Sequence, residues 1–229
     1  MKISVIIPLY NEESTIIRLL NKVNAQKKSK VELEIIVIDD CSTDNTNKLL
    51  KENGELFDIF IELKKNLGKG GAVRKGLEIA TGDYILFQDG DLEYNPDDYK
   101  KIFKMLENHK AEIVIGSRFL APEFTRVHYF FHKVGNRLIT LLFNILYNTT
   151  FTDIYSCYVC FKAELIDPKK LKTNGWQQHA EILATAVKKS QVHYEVPISY
   201  AGRTFDEGKK IKARHTFSVV YTIIKKRFF

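Results

Sequence analysis

The 229-residue sequence predicts an α/β fold, a doubly wound and mostly parallel sheet with a less regular C-terminal part. Five β-rich apolar runs alternate with four helix-period segments up to Ser117, and such alternation implies parallel strands joined by right-handed crossovers. After Ser117 the rhythm breaks. In sheets of this kind ligands sit beyond the carboxyl ends of the strands, and three of those ends are unusually polar: "PLYNE", "DDCSTD" and "QDGDLE".

The elements follow in order. "ISVIIPL" is the first strand, and "EESTIIRLLNKVNAQ" is a helix with Ile16, Ile17, Leu19, Leu20 and Val23 at helical spacing. "LEIIVID" is the second strand, and the helix after it starts near Asp44, where "STDNTNKLL" offers capping side chains. "DIFIEL" is a strand, "GKGGAVRKGLEIA" a helix and "YILFQ" a strand. "PDDYKKIFKMLENH" is a helix with proline in its first turn, and "AEIVIGS" is the fifth strand. Beyond Ser117 come an amphipathic segment from Val127 to Tyr147, a strand-like "TDIYSCYVCF", a helix around "HAEILATAVKK", a strand "QVHYEVPISYAG" and the basic tail "KKIKARHTFSVVYTIIKKRFF". No repeat and no Pro/Gly/Ser-rich linker intervenes, so residues 1–229 are expected to form one domain with parts 1–117 and 118–229.

Composition narrows the class. Hydrophobic residues at 45% exclude a disordered chain, and no stretch reaches the roughly 18 uncharged apolar residues of a spanning helix. Residues 1–110 carry 17 Lys and Arg against 19 Asp and Glu, whereas the remainder carry 18 against 9. That basic second half favours an anionic partner: phosphate, acidic lipid headgroups or nucleic acid. Cys157 and Cys160 have CxxC spacing but neither a helix start nor further metal ligands nearby, so they read as buried structural thiols. An odd cysteine count, with no signal-peptide pattern in "MKISVIIPLYNEES", predicts a reducing cytoplasm.

The acids at the strand ends point to chemistry. Asp-Gly alone is a common turn pair, but Asp89, Asp91 and Glu93 lie one strand end away from Asp39 and Asp40. Clustered carboxylates raise one another's pKa unless a cation neutralises them, and Mg²⁺ or Mn²⁺ commonly bridges one or two carboxylates to a diphosphate. Gly68, Gly70 and Gly71, with Lys69 among them, suit either a turn or a close approach of backbone to phosphate at a helix start. The spacing is not that of a GxxxxGK[ST] loop and does not follow the first strand, which argues against a nucleoside triphosphatase or a dinucleotide enzyme.

In order and spacing, "VIIPLYNEE", "IIVIDDCSTDNT", "NLGKGGAVRKGLEIATGDYILFQDGDLEYNPDDY", "IVIGSRF" and "VPISYAGRTFDEGKKI" resemble family 2 glycosyltransferases of the glycosyltransferase A fold. The subgroup they look most like is the polyprenyl-phosphate sugar synthases of the dolichyl-phosphate mannose or glucose type. The resemblance implies an inverting, metal-dependent transfer of a hexose from a UDP- or GDP-linked donor to a polyprenyl phosphate, with no nucleic acid partner. Residues 1–117 would bind the nucleotide sugar and residues 118–229 the acceptor. Pro8, Tyr10 and Glu12 would hold the nucleoside, Asp40 would reach its base or ribose, and Asp39 would support that turn. Lys69 would add charge beside the diphosphate. Asp89, Gly90, Asp91 and Glu93 match the metal and diphosphate motif, with Mg²⁺ or Mn²⁺ held by Asp89, Asp91 and Glu93. The sequence departs there, since the family often has alanine and glutamine where Gly90 and Glu93 stand.

Arg118, Arg137 and Arg203 match positions that grip the acceptor phosphate, although each could instead be a structural ion pair. Asp91 and Arg118 are the residues on which the resemblance places the reaction. A phosphate oxygen is already anionic and needs little base catalysis, whereas an alcohol acceptor needs a base, for which Asp153 and Glu181 are the candidates. Phe217, Val220, Tyr221 and Ile224, ahead of Lys225, Lys226 and Arg227, suit an interfacial or a core-packing helix. With the segment from Val127 to Tyr147 this predicts a peripheral protein on the cytoplasmic face of a membrane. Two alternatives stand beside this one: transfer to a sugar hydroxyl, and nucleotide-sugar binding without turnover. Oligomeric state is left open.

Overall fold

A computed structural model describes residues 1–28, 31–120, 126, 129–204 and 215–229. Of the stretches singled out above, Val127, His128 and the whole run from Phe205 to Arg214 lie outside those residues. Fourteen elements follow in chain order: β1 (Lys2–Leu9), α1 (Ile16–Ala25), β2 (Glu32–Asp39), α2 (Thr46–Glu52), β3 (Ile59–Glu62), α3 (Lys69–Ile79) and β4 (Tyr84–Phe87), then α4 (Tyr99–His109), β5 (Ile113–Ser117), α5 (Phe130–Tyr147), β6 (Val159–Lys162), α6 (Gln178–Val187), β7 (His193–Pro197) and α7 (His215–Phe228).

The strands form one sheet in the order β3-β2-β1-β4-β6-β5-β7. All neighbours are parallel except β6, which runs antiparallel to both β4 and β5. Parallel strands covered on both faces read as continuous apolar runs, and β1 and β2 are buried along almost their whole length. Register brings their ends together, since Leu9 lies beside Asp39 and Ile6 beside Phe87. The three polar strand ends therefore open onto one edge of the sheet.

The expected strand over residues 152–161 shortens to β6. Residues 152–158 instead cross above the strand ends, because their polar groups are held by partners from elsewhere. The amides of Thr152 and Asp153 donate to Glu195 at 2.9 and 3.3 Å, and the Asp153 carboxylate is held by Arg118. Likewise β7 stops at Pro197, and residues 198–204 turn across the same edge. Cys157 and Cys160 are both free and buried.

The C-terminal helix α7 packs on both α5 and α6. On α7, Val219 and Ile223 are buried, and the Ile223 carbonyl accepts from the Tyr147 hydroxyl at 2.9 Å. Lys226 reaches the buried Glu181 at 2.7 Å. The opposite face is apolar and open, with Phe217 80%, Tyr221 63% and Phe228 65% exposed. On α5, Phe131, Leu138, Leu141 and Ile145 continue that open apolar face. Thus α7 is at once a core-packing helix and an exposed apolar surface. Among the described residues no helix is long and apolar enough to cross a membrane.

Candidate active site

Two cavities of about 380 and 350 Å³ lie side by side above the strand ends. Pro8, Lys69, Asp89, Glu93, Trp176 and Tyr200 line both. The larger is built from the ends of β1 and β2 and the start of α3, and the smaller lies under α5 and α6.

In the larger cavity Tyr10 stands at the rim and Asp40 on the wall. Asp40 accepts the Leu67 amide at 2.7 Å, and burial nevertheless pushes its carboxyl above the usual range. Asp39 sits behind the loop, accepting the Ser42 amide at 3.0 Å and the Asn47 side-chain amide at 3.1 Å, so its contribution is to shape the turn. Gly68 opens α3 at φ +77°, a conformation that glycine adopts without strain. Gly90 has no room for a side chain, since a Cβ there would lie 2.8 Å from that of Leu9; this accounts for glycine in place of alanine.

The carboxylates are less alike than their spacing implies. Asp89 pairs with Lys69, whose ammonium also lies 5.2 Å from the Trp176 ring. Burial opposes the charge on Asp89, but Lys69 outweighs it and holds the carboxyl below its usual range. Asp91 receives the Glu93 amide at 3.0 Å; burial, with Asp89 and Glu93 adding repulsion, pushes its carboxyl up to about 8. Glu93 is committed elsewhere, accepting from the Tyr200 hydroxyl and from the Arg203 amide, each at 2.7 Å. The expected three-carboxylate metal site is therefore not assembled: among the described residues no group of three His, Cys, Asp or Glu side chains is arranged to hold an ion. Asp91 is the carboxylate whose charge the surrounding side chains leave poorly balanced. A divalent cation shared between it and phosphate oxygens fits that deficit.

The three arginines do not form one patch. Arg118 lines the smaller cavity in a two-pronged ion pair with Asp153. Arg203 lines the larger cavity, paired at 2.8 Å to Glu12, which lines the same cavity and positions the arginine beside the acids. Arg137 lies on the exposed surface of α5 and lines neither cavity. The two candidate bases are also unsuited to that role. Asp153 has no exposed side-chain area, and Glu181, equally buried, accepts from Thr173 and Lys226.

Several lining residues were not expected from sequence: Tyr155, Cys157, Trp176, Gln178, His179 and Tyr200. They come from the loops before β6 and α6, from the first turn of α6 and from the segment after β7, and only the CxxC spacing of Cys157 and the rarity of tryptophan set any of them apart in the sequence. Burial, first, and then Asp89 push the Cys157 thiol well up, as befits an unreactive wall residue.

The chain is similar to several known proteins. The uncharacterized protein MJ0544 of Methanocaldococcus jannaschii is 30% identical over 85% of this chain and 87% of its own length. The undecaprenyl-phosphate 4-deoxy-4-formamido-L-arabinose transferase of Proteus mirabilis is 28% identical over 91% of this chain, which spans 62% of that protein. Among solved structures, glucosyl-3-phosphoglycerate synthase of Mycobacterium tuberculosis, in complex with Mn²⁺, UDP and phosphoglyceric acid, superposes with a TM-score of 0.73. It is 20% identical and covers 100% of this chain and 79% of its own, a likeness of fold. Residues 4–167 match the profile of glycosyl transferase family 2, and the chain belongs to that family.

Proposed function

We propose that the protein transfers a hexose, with inversion, from a UDP- or GDP-linked donor to a polyprenyl phosphate. The observation that carries this reading is the pair of adjoining cavities divided by the Lys69–Asp89 pair. One suits a nucleoside diphosphate, and the other presents the Arg118 guanidinium to an acceptor. The printed activity of the Proteus mirabilis relative, on undecaprenyl phosphate, supports the same acceptor class.

In the larger cavity Asp40 and Tyr10 would meet the nucleoside, and Lys69 at the start of α3 would add charge beside the diphosphate, since the Gly70 and Gly71 amides are taken by the Asn174 carbonyl. Asp91 would hold Mg²⁺ or Mn²⁺ together with phosphate oxygens, and a bound cation of that kind supplies neutralisation of the departing nucleoside diphosphate. Arg203, kept in place by Glu12, adds positive charge on the same side. Arg118, fixed by Asp153, would orient the acceptor phosphate, whose oxygen is anionic already and attacks the anomeric carbon without a base. The burial of Asp153 and Glu181 favours this over a hydroxyl acceptor, which would require one of them to accept a proton.

The open faces of α5 and α7 combine apolar side chains with exposed Lys133, Arg137, Lys225 and Arg227. That combination suits the surface of an anionic membrane, where a polyprenyl phosphate would present its headgroup. The reading is tested by incubating the protein with UDP-glucose or GDP-mannose, undecaprenyl phosphate and Mg²⁺ or Mn²⁺. Formation of a glycosylated lipid phosphate with release of nucleoside diphosphate is expected. Equal turnover with a neutral glycolipid in place of the phosphate would establish the hydroxyl acceptor, and no release with any acceptor would leave a binding protein.

A further inference from the structure

Residues 171–174 are held from two sides. From α3, the Gly70 and Gly71 amides donate to the Asn174 carbonyl at 2.7 and 3.2 Å, and Arg74 donates to the Leu171 carbonyl at 3.2 Å. A Cβ on Gly70 would lie 2.7 Å from that Asn174 oxygen, so glycine there admits the chain's own backbone. From α6, Glu181 accepts the amides of Lys172 and Thr173 at 3.1 and 2.9 Å and the Thr173 hydroxyl at 2.7 Å. Gly175 and Trp176, which follow directly, line the larger cavity, and Trp176 lines the smaller one as well.

Glu181 holds these groups as a carboxylate with no exposed side-chain area, which is costly unless a cation compensates it. The cation comes from another helix. Lys226, in the last turn of α7, reaches Glu181 at 2.7 Å, and Lys188, just past α6, donates to the Lys226 carbonyl at 3.1 Å. Burial opposes the charge on Glu181, but the bonds from Lys226 and Thr173 outweigh it and keep the carboxyl below its usual range. One path of ion pairs and hydrogen bonds thus runs from α7, whose far face is open and apolar, through Glu181 and residues 172–174 to the start of α3, where Lys69 pairs with Asp89.

We propose that Lys226 and Glu181 are positioning residues: together they tie α7 to the wall between the two cavities, and so set how firmly the larger cavity holds a nucleoside diphosphate. The nucleotide part of this rests on the donor-site reading above; the tie itself does not. Neither side chain lines a cavity, so both act through residues 172–176. A buried carboxylate deprived of its cation takes up a proton or moves toward water, and either change loosens its hold on the Lys172 and Thr173 amides.

Trp176 is the one tryptophan of the chain, so intrinsic fluorescence reads this wall alone. The test records the emission of ligand-free wild type, Lys226→Met, Lys226→Arg, Glu181→Gln and the double variant Glu181→Gln/Lys226→Met, each folded and below its melting temperature. Each is then titrated calorimetrically with UDP and with GDP in the presence of Mn²⁺. Lys226→Met and Glu181→Gln should shift the emission to the red and bind whichever nucleotide the wild type accepts about tenfold more weakly. Lys226→Arg, which keeps the cation, should match the wild type. The double variant should be no worse than either single one, since the two side chains act as a unit. A lowered melting temperature with unmoved emission and affinity in both single variants overturns the proposal, because the pair would then serve the fold alone. Emission that moves while nucleotide affinity stays overturns the positioning role, and losses that add in the double variant overturn the pairing. A wild type that binds neither nucleotide refutes the donor site instead, and the ligand-free emission still decides whether α7 is tied to the wall.

Discussion

Arg118 and Asp153 form a closed, two-pronged ion pair: Nε meets Oδ2 at 2.7 Å and Nη2 meets Oδ1 at 2.8 Å, with the Arg118 amide adding a third bond at 3.1 Å. The side chain of Asp153 is wholly buried and that of Arg118 is 10% exposed. The guanidinium also lies 5.1 Å from the Tyr200 ring. A cation held this rigidly has little orientational freedom left to lose when a phosphate arrives, and Nη1 takes no part in the pair.

Removing one partner of such a pair strands the other. Asp153→Asn should therefore lower the unfolding free energy by about 3 kcal/mol, read from urea melts. Arg118→Lys keeps the charge but loses the fork. It should lower kcat/KM for a phosphate acceptor by at least about tenfold and leave nucleoside diphosphate affinity as it was. If donor affinity fell in parallel, Arg118 would have no separate acceptor role.

Asp91 and Glu93 are two residues apart, yet the fold gives them different tasks. With both Glu93 oxygens committed to residues 200–203, Glu93→Gln should loosen that loop and lower turnover. The Mn²⁺ concentration for half-maximal activity should stay where it was. Asp91→Asn should raise that concentration more than about tenfold or abolish activity, with the melting temperature unchanged or higher, because the substitution removes a repelled charge. Metal titrations of the two variants separate these outcomes, and a shifted Mn²⁺ requirement in Glu93→Gln would return Glu93 to the ion.

How far the sequence shows these tasks depends on how local their causes are. β1, β2 and β4 are legible because a buried parallel strand needs an unbroken apolar run and gets one from nearby residues. Asp89 and Asp91 are legible as a cluster for the same reason. The commitment of Glu93 is not, since its partner Arg203 lies 110 positions away and an acid of any purpose looks alike in sequence. Residues 152–158 alternate like a strand; the ion pair that bends them away depends on Arg118, more than thirty positions earlier. Gln178 and His179 read as ordinary residues at a helix start until the walls around them are in place.

Acid should act on the fold through Glu34, which is remote from both cavities. Its carboxylate accepts from Ser4 and Thr81 and pairs with Lys2 at 3.0 Å. Burial works against the charge, but these bonds prevail and hold the group at about 2, against 4.5 ordinarily. The unfolded chain therefore takes up the proton first as pH falls. The contribution is complete above pH 4.5 and is lost on descending toward pH 2. Glu34→Gln should be less stable than wild type by roughly 2–3 kcal/mol at pH 7, and the gap should narrow as urea melts are repeated toward pH 2.5. A gap independent of pH would mean that packing, and not charge, is what Glu34 contributes.

The apolar face of α5 and α7 leads to a prediction at the scale of the whole molecule. Phe131, Ile145 and Phe217 are 82%, 71% and 80% exposed, and exposed lysines and arginines flank them. Burying one such side chain in the interfacial region of a bilayer contributes about 1.5–3 kcal/mol, so each change to serine should weaken vesicle binding by roughly tenfold or more. Co-sedimentation with vesicles of mixed phosphatidylglycerol and phosphatidylcholine measures this directly. Raising salt should weaken the remaining attachment by screening the cations, whereas removal of the apolar side chains should act at any ionic strength. Because none of the three side chains supports the core, melting temperature and nucleoside diphosphate affinity should persist in the triple variant. Its activity on polyprenyl phosphate presented in vesicles should fall more than its activity on a short-chain, water-soluble phosphate acceptor. A wild type that ignores vesicles but self-associates through the same three side chains would assign this face to a second copy of the chain, and the membrane reading would fail.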